Sequence, residues 1–244
     1  MPWRDVVDEE VALIEPVPGV FMLERTWGCN VYVIDGERPV LVDAGFPLDE
    51  KRIVKSLEGA APCLMVATHY HIDHVGPMAS LKRRFGSPVA AHGADAQVME
   101  GVVPYEVYKL DPLRAVYYRV LAPFYRYEFV NVDIRLEEGD VIDVLGGLEV
   151  VHLPGHTSGS VALYQPRRGI LFSGDTIRNE KGVLDGPPPQ FSPDIEESFR
   201  HIREKVLSRD FEVLLPGHGV PFVGGARTAV EQMMRRKGML SGGA

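Results

Sequence analysis

The segment Thr68–His74, THYHIDH, places three histidines and one carboxylate within six consecutive positions. It directly follows the apolar run Leu64–Ala67, which has the length and composition of a buried strand. A tight turn past the strand end can bring the first two histidines to one cation, while Asp73 and His74 face a neighbouring position. The segment therefore predicts a metal site at a strand end, in which one short loop could serve two metals.

Three later motifs share one arrangement, in which a single histidine or aspartate follows an apolar strand and a glycine. They are LPGHT at 153–157, FSGDT at 172–176 and LPGHG at 215–219. Glycine lets the backbone turn sharply and places the next side chain over the sheet edge. The candidate ligands are therefore His69, His71, Asp73, His74, His156, Asp175 and His218.

The chemistry of these seven side chains suits two adjacent cations. Imidazole and carboxylate without thiolate favour a borderline or hard cation, so zinc, iron and manganese all remain open. Two sites that share one carboxylate would hold metals about 3.5 to 4 Å apart, the separation that holds a bridging hydroxide. Two divalent cations, two aspartates and one hydroxide leave a charge of about +1, which favours an anionic or carbonyl-bearing substrate.

The motif order resembles that of the metallo-β-lactamase-fold superfamily, whose signature is His-x-His-x-Asp-His followed by single His, Asp and His motifs. The resemblance covers nearly the whole chain and implies an α/β fold, an αββα sandwich of two mixed β-sheets flanked by helices, with the site on one edge. It also implies that Asp43, in Leu41–Gly45, orients a ligand loop through hydrogen bonds. The implied ligands are His69, His71 and His156 for the first metal, Asp73, His74 and His218 for the second, and Asp175 as the bridge.

The apolar pattern agrees with one α/β domain spanning residues 1–244. Short apolar runs separated by turn residues predict an antiparallel meander in the first 45 residues, followed by alternating strands and helices. Between about 93 and 130 the alternation stops, and this stretch holds six of the nine tyrosines. We interpret it as an aromatic-rich helical insert, whose rings either pack on the body or form a lid or dimer surface that shapes a substrate cavity.

The second half of the chain predicts a second sheet. Five short apolar runs between 132 and 173 are typical of strands, whereas the proline-rich stretch 179–191 is expected to be irregular. Ser192-Pro193-Asp194 is a typical helix start, and Ile195, Phe199, Ile202 and Val206 follow it at helical spacing. A last strand at 213–215 and a final helix complete this half.

Composition narrows the class of protein. The net charge of −8 lacks the clustered basic residues of a nucleic-acid-binding protein. Because neither a membrane span nor a signal peptide is evident, we expect a cytoplasmic protein that acts on a small molecule and forms a homodimer through the aromatic insert. Cys29 and Cys63 are expected to be buried apolar thiols. Only three Asn and four Gln favour a heat-stable source organism.

The leading functional prediction is a binuclear metal-dependent hydrolase, with a glyoxalase II-like or lactonase-like ligand set and most simply two zinc ions. A metal-bridging hydroxide would attack an ester, thioester, lactone or phosphodiester, and Asp73 would orient that nucleophile as the catalytic side chain. One alternative is a mononuclear iron persulfide dioxygenase, because some superfamily members with this signature oxygenate persulfides. A non-catalytic metal-stabilised binding module is disfavoured, since all seven ligands are present.

Overall fold

The computed structural model describes residues 12–57, 60–105, 116 and 128–240. Its first sheet has seven strands in chain order, in which β1 to β4 are antiparallel neighbours and β4 to β7 are parallel. The antiparallel meander predicted for the first 45 residues is confirmed. The strands are β1 Leu13–Val17, β2 Val20–Leu23, β3 Tyr32–Ile34, β4 Val40–Val42, β5 Leu64–Val66, β6 Val89–His92 and β7 Ile134–Leu136.

A second sheet of six strands has the order β15-β14-β11-β10-β9-β8. Strands β9, β11 and β14 run in one direction, because β10 is antiparallel to both β9 and β11 while β11 and β14 are parallel. A separate hairpin pairs β12 with β13. These strands are β8 Val141–Ile142, β9 Leu148–His152, β10 Val161–Gln165, β11 Ile170–Gly174, β12 Arg178–Glu180, β13 Val183–Asp185, β14 Val213–Pro216 and β15 Phe222–Val223.

The helices lie on the outer faces of the two sheets. They are α1 Glu50–Ser56, α2 Ile72–Val75, α3 Met78–Phe85, α4 Gly93–Met99, α5 Ile195–His201 and α6 Ala226–Arg236. The helix predicted after Ser192-Pro193-Asp194 forms, but it starts two residues later than a Ser192 cap would place it: the Asp194 side chain caps α5 by accepting from the Glu197 amide at 2.8 Å. The helix continues as a π-helical turn over Ile202–Val206. Among the described residues, no helix has the length and apolar character needed to cross a membrane.

Three buried clusters define four layers. The middle cluster joins the two sheets, with residues such as Val66 from the first and Phe172 from the second. The other two lie between a sheet and its helices, and contain Leu81 of α3 on one side and Phe199 of α5 on the other. This is the predicted αββα sandwich, held by apolar burial on both faces of each sheet.

Two predictions about the second half of the chain are wrong. The first of the five strands, β7, joins the first sheet, where Ile134 pairs with Ala90 in a parallel register. The proline-rich stretch contains most of the hairpin β12–β13 and a 3₁₀ turn at Pro189–Phe191, because its prolines lie after the paired residues rather than within them.

The first residues of the stretch predicted to be an insert belong to the sandwich itself. They form α4, in which Ala96, Val98 and Met99 are buried against the first sheet. Tyr105 packs on the ring of Tyr70, with ring centroids 5.0 Å apart. The other five tyrosines of the insert lie outside the described residues, so the lid or dimer surface stays a prediction.

Candidate metal centre

The seven candidate ligands meet at one edge of the sandwich, past the carboxyl ends of four strands. The segment after β5 carries the first four, with His69 and His71 in its loop and Asp73 and His74 in α2, and His156, Asp175 and His218 follow β9, β11 and β14. A hydrogen bond from the Val161 amide to the Thr68 carbonyl, at 2.9 Å, links the two sheets at this edge. The strand-end turns thus bring together side chains up to 149 positions apart, since 218 − 69 = 149.

His69, His71 and His156 form a buried group that we call cluster 1, and one ring nitrogen of each lies within 4.8 Å of the others. His69 Nε2 and His156 Nε2 are 3.2 Å apart. Burial holds the pKa of His69 and His71 well below the usual histidine value and lowers that of His156 to about 4. Neutral imidazoles offer a lone pair to a cation, so cluster 1 is suited to bind one.

Asp73, His74 and His218 form a second group, cluster 2, also within 4.8 Å of one another. His218 Nε2 lies 3.2 Å from Asp73 Oδ2 and 3.4 Å from His74 Nε2. The side chains of Asp73 and His218 are 36% and 28% exposed, so this cluster opens to solvent. Burial would raise the pKa of Asp73, but the His218 hydrogen bond and the charge of His74 lower it, which keeps the carboxylate ionised.

Asp175 lies between the two clusters. Its Oδ1 is 3.3 Å from His74 Nε2 and 3.4 Å from His218 Nε2, while its Oδ2 is 3.6 Å from His156 Nε2. Oδ1 is buried without a well-formed hydrogen bond from any described residue. A cation bound nearby would supply the partner that this buried carboxylate oxygen needs. The nitrogen and oxygen donors therefore fit two divalent cations that share one carboxylate.

Asp43 makes the hydrogen bonds that the resemblance implied for it. Its Oδ2 lies 2.8 Å from His74 Nδ1, and it also accepts from the amide and hydroxyl of Thr68, each at 2.8 Å. Holding Nδ1 as a donor leaves His74 Nε2 to face cluster 2. Burial would lower the pKa of His74, but the carboxylates of Asp43 and Asp175 outweigh burial and raise it.

The hairpin β12–β13 supports the loop that carries His218. The Asn179 amide donates to the His218 carbonyl at 3.0 Å, and the Asn179 side chain donates to the Val220 carbonyl at 2.7 Å. Gly217 has no room for a side chain, because a Cβ there would lie 2.5 Å from Asp175 Oδ1. The stretch expected to be irregular therefore fixes one side of the metal centre.

A family model described as the metallo-beta-lactamase superfamily matches residues 25–218. The chain belongs to this superfamily. Its signature motifs are the loops that converge here, and the two sheets with their flanking helices are the fold of the superfamily.

Several curated members of the superfamily are similar to this chain. A probable metallo-hydrolase of Bacillus subtilis is 28% identical over 80% of this chain and 82% of its own length. An acyl-coenzyme A thioesterase of Homo sapiens is 30% identical, covering 82% and 78%. A hydroxyacylglutathione hydrolase of Haemophilus influenzae is 25% identical, covering 78% and 84%. The relatives named here are metallo-hydrolases or hydrolases of acyl compounds.

Solved structures of the superfamily share the fold. The crystal structure of TTHA1623 in a di-iron-bound form has a TM-score of 0.61 and 29% identity, covering 85% of this chain and 92% of that one. MIM-2 metallo-beta-lactamase has a TM-score of 0.66 at 18% identity, covering 91% and 85%, and shows likeness of fold. The di-iron neighbour means that iron as well as zinc is a metal to test.

The remaining histidines and the cysteines lie outside the superfamily motifs in the sequence. The rings of His92 and His152 stack on each other with centroids 3.8 Å apart, and His201 lies on α5. Cys29 is fully buried beside His74, as predicted, and burial raises its pKa to about 12, so it stays a protonated thiol. Cys63 is only half-buried, because it lies at the start of β5 near the surface.

Sequence reasoning missed two buried carboxylates near the clusters, Asp49 and Asp95. Asp49 ends the 3₁₀ turn Pro47–Asp49 just before α1, and Asp95 stands in the first turn of α4, so an acidic residue has an ordinary explanation at both positions. Asp49 accepts from the backbone amides of Trp27, Gly28 and Phe46 at 2.9 to 3.1 Å. No local pattern in the sequence distinguishes such a carboxylate from an exposed one.

Proposed function

We propose that this chain is a binuclear metal-dependent hydrolase that cleaves thioesters. The observation that carries the proposal is the position of Asp175, with one oxygen toward each cluster. His69, His71 and His156 would hold one divalent ion, Asp73, His74 and His218 would hold the second, and Asp175 would bridge them. Bound there, the two ions would supply Lewis acidity and lower the pKa of water, so that hydrolysis could run near neutral pH.

The residues of the chain would hold and orient the reactants. Asp73 is 36% exposed at the side chain, whereas Asp175 is 5% exposed, so a water molecule from solvent reaches Asp73. The lowered pKa of Asp73 keeps it an acceptor, able to orient that water through a hydrogen bond. The hydrogen bond from His74 Nδ1 to Asp43 points Nε2 of His74 at cluster 2, where a bound cation would take the place of the Nε2 proton.

Two arguments favour a thioester over an oxygen ester, a lactone or a phosphodiester. Two relatives of the chain are named as an acyl-coenzyme A thioesterase and a hydroxyacylglutathione hydrolase, and an acylglutathione is also a thioester. A thiol has a pKa of about 8.5, so a thiolate can leave without first taking a proton, whereas an alkoxide is a far poorer leaving group. The proposed reaction therefore requires no separate acid.

Thiol release measured with a chromogenic disulfide tests the proposal. The zinc-loaded and the iron-loaded protein are assayed on acyl-coenzyme A and acylglutathione, with an activated phosphodiester, an oxygen ester and a lactone for comparison. We expect thioesters to be cleaved fastest. Asp175→Asn should lose more activity than the roughly 10- to 100-fold typical of an outer hydrogen-bond partner.

Asp210→Asn is the matched control, because Asp210 is a fully exposed carboxylate near α6. It should retain full activity. Absence of thiol release from the loaded protein would overturn the proposal. So would a protein holding one iron that consumes oxygen with glutathione persulfide, since that result would identify a dioxygenase.

A further inference from the structure

Asp95, in the first turn of α4, is a buried carboxylate that both loops of cluster 1 contact. It is 1% exposed. One oxygen accepts from the Tyr70 amide at 2.9 Å and from the Thr157 hydroxyl at 2.7 Å, and the other accepts from the Gly159 amide at 2.6 Å. A buried carboxylate is costly unless hydrogen bonds satisfy it, and here three donors converge on it.

Two of these donors, Tyr70 and Thr157, adjoin all the members of cluster 1. Tyr70 stands between His69 and His71, and Thr157 follows His156 directly. The Tyr70 loop leaves β5 of the first sheet, whereas the Thr157 loop leaves β9 of the second. Asp95 therefore links the two halves of cluster 1 across the sandwich, at the residues next to the ligands.

The packing around Asp95 leaves little freedom. A Cβ on Gly159 would lie 2.5 Å from Asp95 Oδ1 and 2.6 Å from the Asp95 backbone nitrogen, closer than real side chains approach. The Ser160 hydroxyl bonds the Thr157 hydroxyl at 2.7 Å and accepts from the Thr157 amide at 3.0 Å. The loop after His156 is thus pressed against α4 and held from two directions.

We propose that Asp95 is a positioning residue that holds His69, His71 and His156 in the arrangement that binds a metal, acting through Tyr70, Thr157 and Gly159. The inference rests on the proposed function, because it takes cluster 1 to be a metal site. A metal site requires ligand atoms within a few tenths of an ångström of their bonding distances, and hydrogen bonds one residue away can supply that precision.

Asp49 offers a matched control on the other side of the centre. It is also buried and also accepts three backbone amides, but its loops touch cluster 2. The Cys29 amide, next to Gly28, bonds the Asp73 carbonyl at 2.9 Å, and the Ala44 amide bonds the His74 carbonyl at 2.6 Å. Replacing Asp49 therefore removes a comparable set of hydrogen bonds beside cluster 2 and leaves those beside cluster 1 in place.

Cobalt(II) titration of single-site backgrounds tests the inference. His218→Ala removes a ligand of cluster 2, and His156→Ala removes one of cluster 1. We expect Asp95→Asn to weaken cobalt binding on the order of 10- to 100-fold in the His218→Ala background. It should have little effect in the His156→Ala background, and Asp49→Asn should have little effect in the His218→Ala background.

Equal loss in both backgrounds, or no loss in the first, would overturn the inference. If Asp95→Asn does not fold, Thr157→Val replaces it, because valine keeps the shape and removes one donor to Asp95. Thr157→Val should weaken cobalt binding to cluster 1, and Thr157→Ser should restore it; a failure of serine to do so would also count against Asp95. Cobalt binding is measured without substrate, so the inference and thioester hydrolysis can fail separately.

Discussion

Asp43 combines an unusual backbone conformation with a role in holding His74. Its φ of 57° lies in the left-handed region, which aspartate and asparagine tolerate better than most residues. Its carboxylate meets donors from His74 and Thr68 at the end of β4. Aspartate at position 43 therefore suits both the left-handed backbone conformation and the hydrogen bond to His74.

We predict that Asp43→Asn lowers kcat/KM by roughly 10- to 100-fold, because the amide has only one acceptor oxygen and cannot hold both His74 and Thr68 as the carboxylate does. The protein should stay folded, since asparagine suits the same backbone conformation. Asp43→Ala should lose at least as much activity and should also unfold at a lower temperature. Wild-type kinetics in Asp43→Asn would show that this carboxylate does not orient His74.

Gly159 tests the contact with Asp95 from the opposite side. We predict that Gly159→Ala weakens metal binding at cluster 1, because the new methyl group would displace the Asp95 carboxylate. Gly93→Ala is the control: it stands in the same helix as Asp95, and a Cβ there meets nothing within 4 Å. Cobalt titration measures the metal affinity of both variants. Equal affinities in Gly159→Ala and Gly93→Ala would contradict the predicted displacement of Asp95.

At the scale of single elements, α4 is capped by a histidine whose pKa is shifted. His92 Nδ1 accepts from the Ala94 amide at 3.3 Å, and its ring stacks on His152 with Glu138 and Lys205 nearby. Burial and the neighbouring His152 lower the pKa of His92 to about 4, although Glu138 opposes them. The cap requires the unprotonated nitrogen, so it belongs to the neutral form.

We predict that His92 makes the protein less stable as pH falls from about 6.5 to about 4. Over that range His92 becomes protonated in the unfolded chain, where its pKa is the ordinary value of about 6.5, but stays neutral in the folded chain. The unfolded state is therefore favoured as the pH falls. His92→Asn preserves a capping side chain and removes the titration, so its free energy of unfolding should vary less with pH. Urea unfolding at pH 5 and pH 7 measures both proteins. An unchanged pH dependence in the variant would contradict the assignment.

How much the sequence predicts depends on how local the signal is. The histidine-rich segment 68–74 and the strand ends followed by glycine and a candidate ligand, as at Gly155-His156, are each complete within a few residues, so the sequence alone names all seven candidates. The hairpin β12–β13 was missed because Arg178, Asn179 and Glu180 lack the apolar alternation of a strand. Besides pairing with β13, Asn179 contacts the loop of His218, 39 positions away in the chain, since 218 − 179 = 39, and no local pattern indicates that contact.

At the scale of the whole molecule, the two sheets contribute different ligands to one centre. The first supplies residues 69–74, and the second supplies His156, Asp175 and His218. A cation bound by both sheets is bound by the folded chain alone, because the unfolded chain cannot bring these segments together. Metal binding should therefore stabilise the sandwich as a unit.

We predict that adding metal to the chelator-treated protein raises the melting temperature. At a free metal concentration 100 times Kd, each site adds about 2.7 kcal/mol. For a chain of this size that corresponds to roughly 5 to 10 °C. Asp175→Asn should lose most of the shift, whereas Asp210→Asn should keep it. A melting temperature that does not change when metal is added would mean that the clusters do not bind a cation in the folded state.

In the proposed reaction two metals, one in each cluster, would act together on a thioester. The most direct measurement is thiol release from an acyl-coenzyme A as metal is added stepwise to the chelator-treated protein, with bound metal counted at each step. Activity should stay low up to one equivalent and rise to its plateau as the second binds. Full hydrolysis at one bound metal, or none at two, would contradict the account.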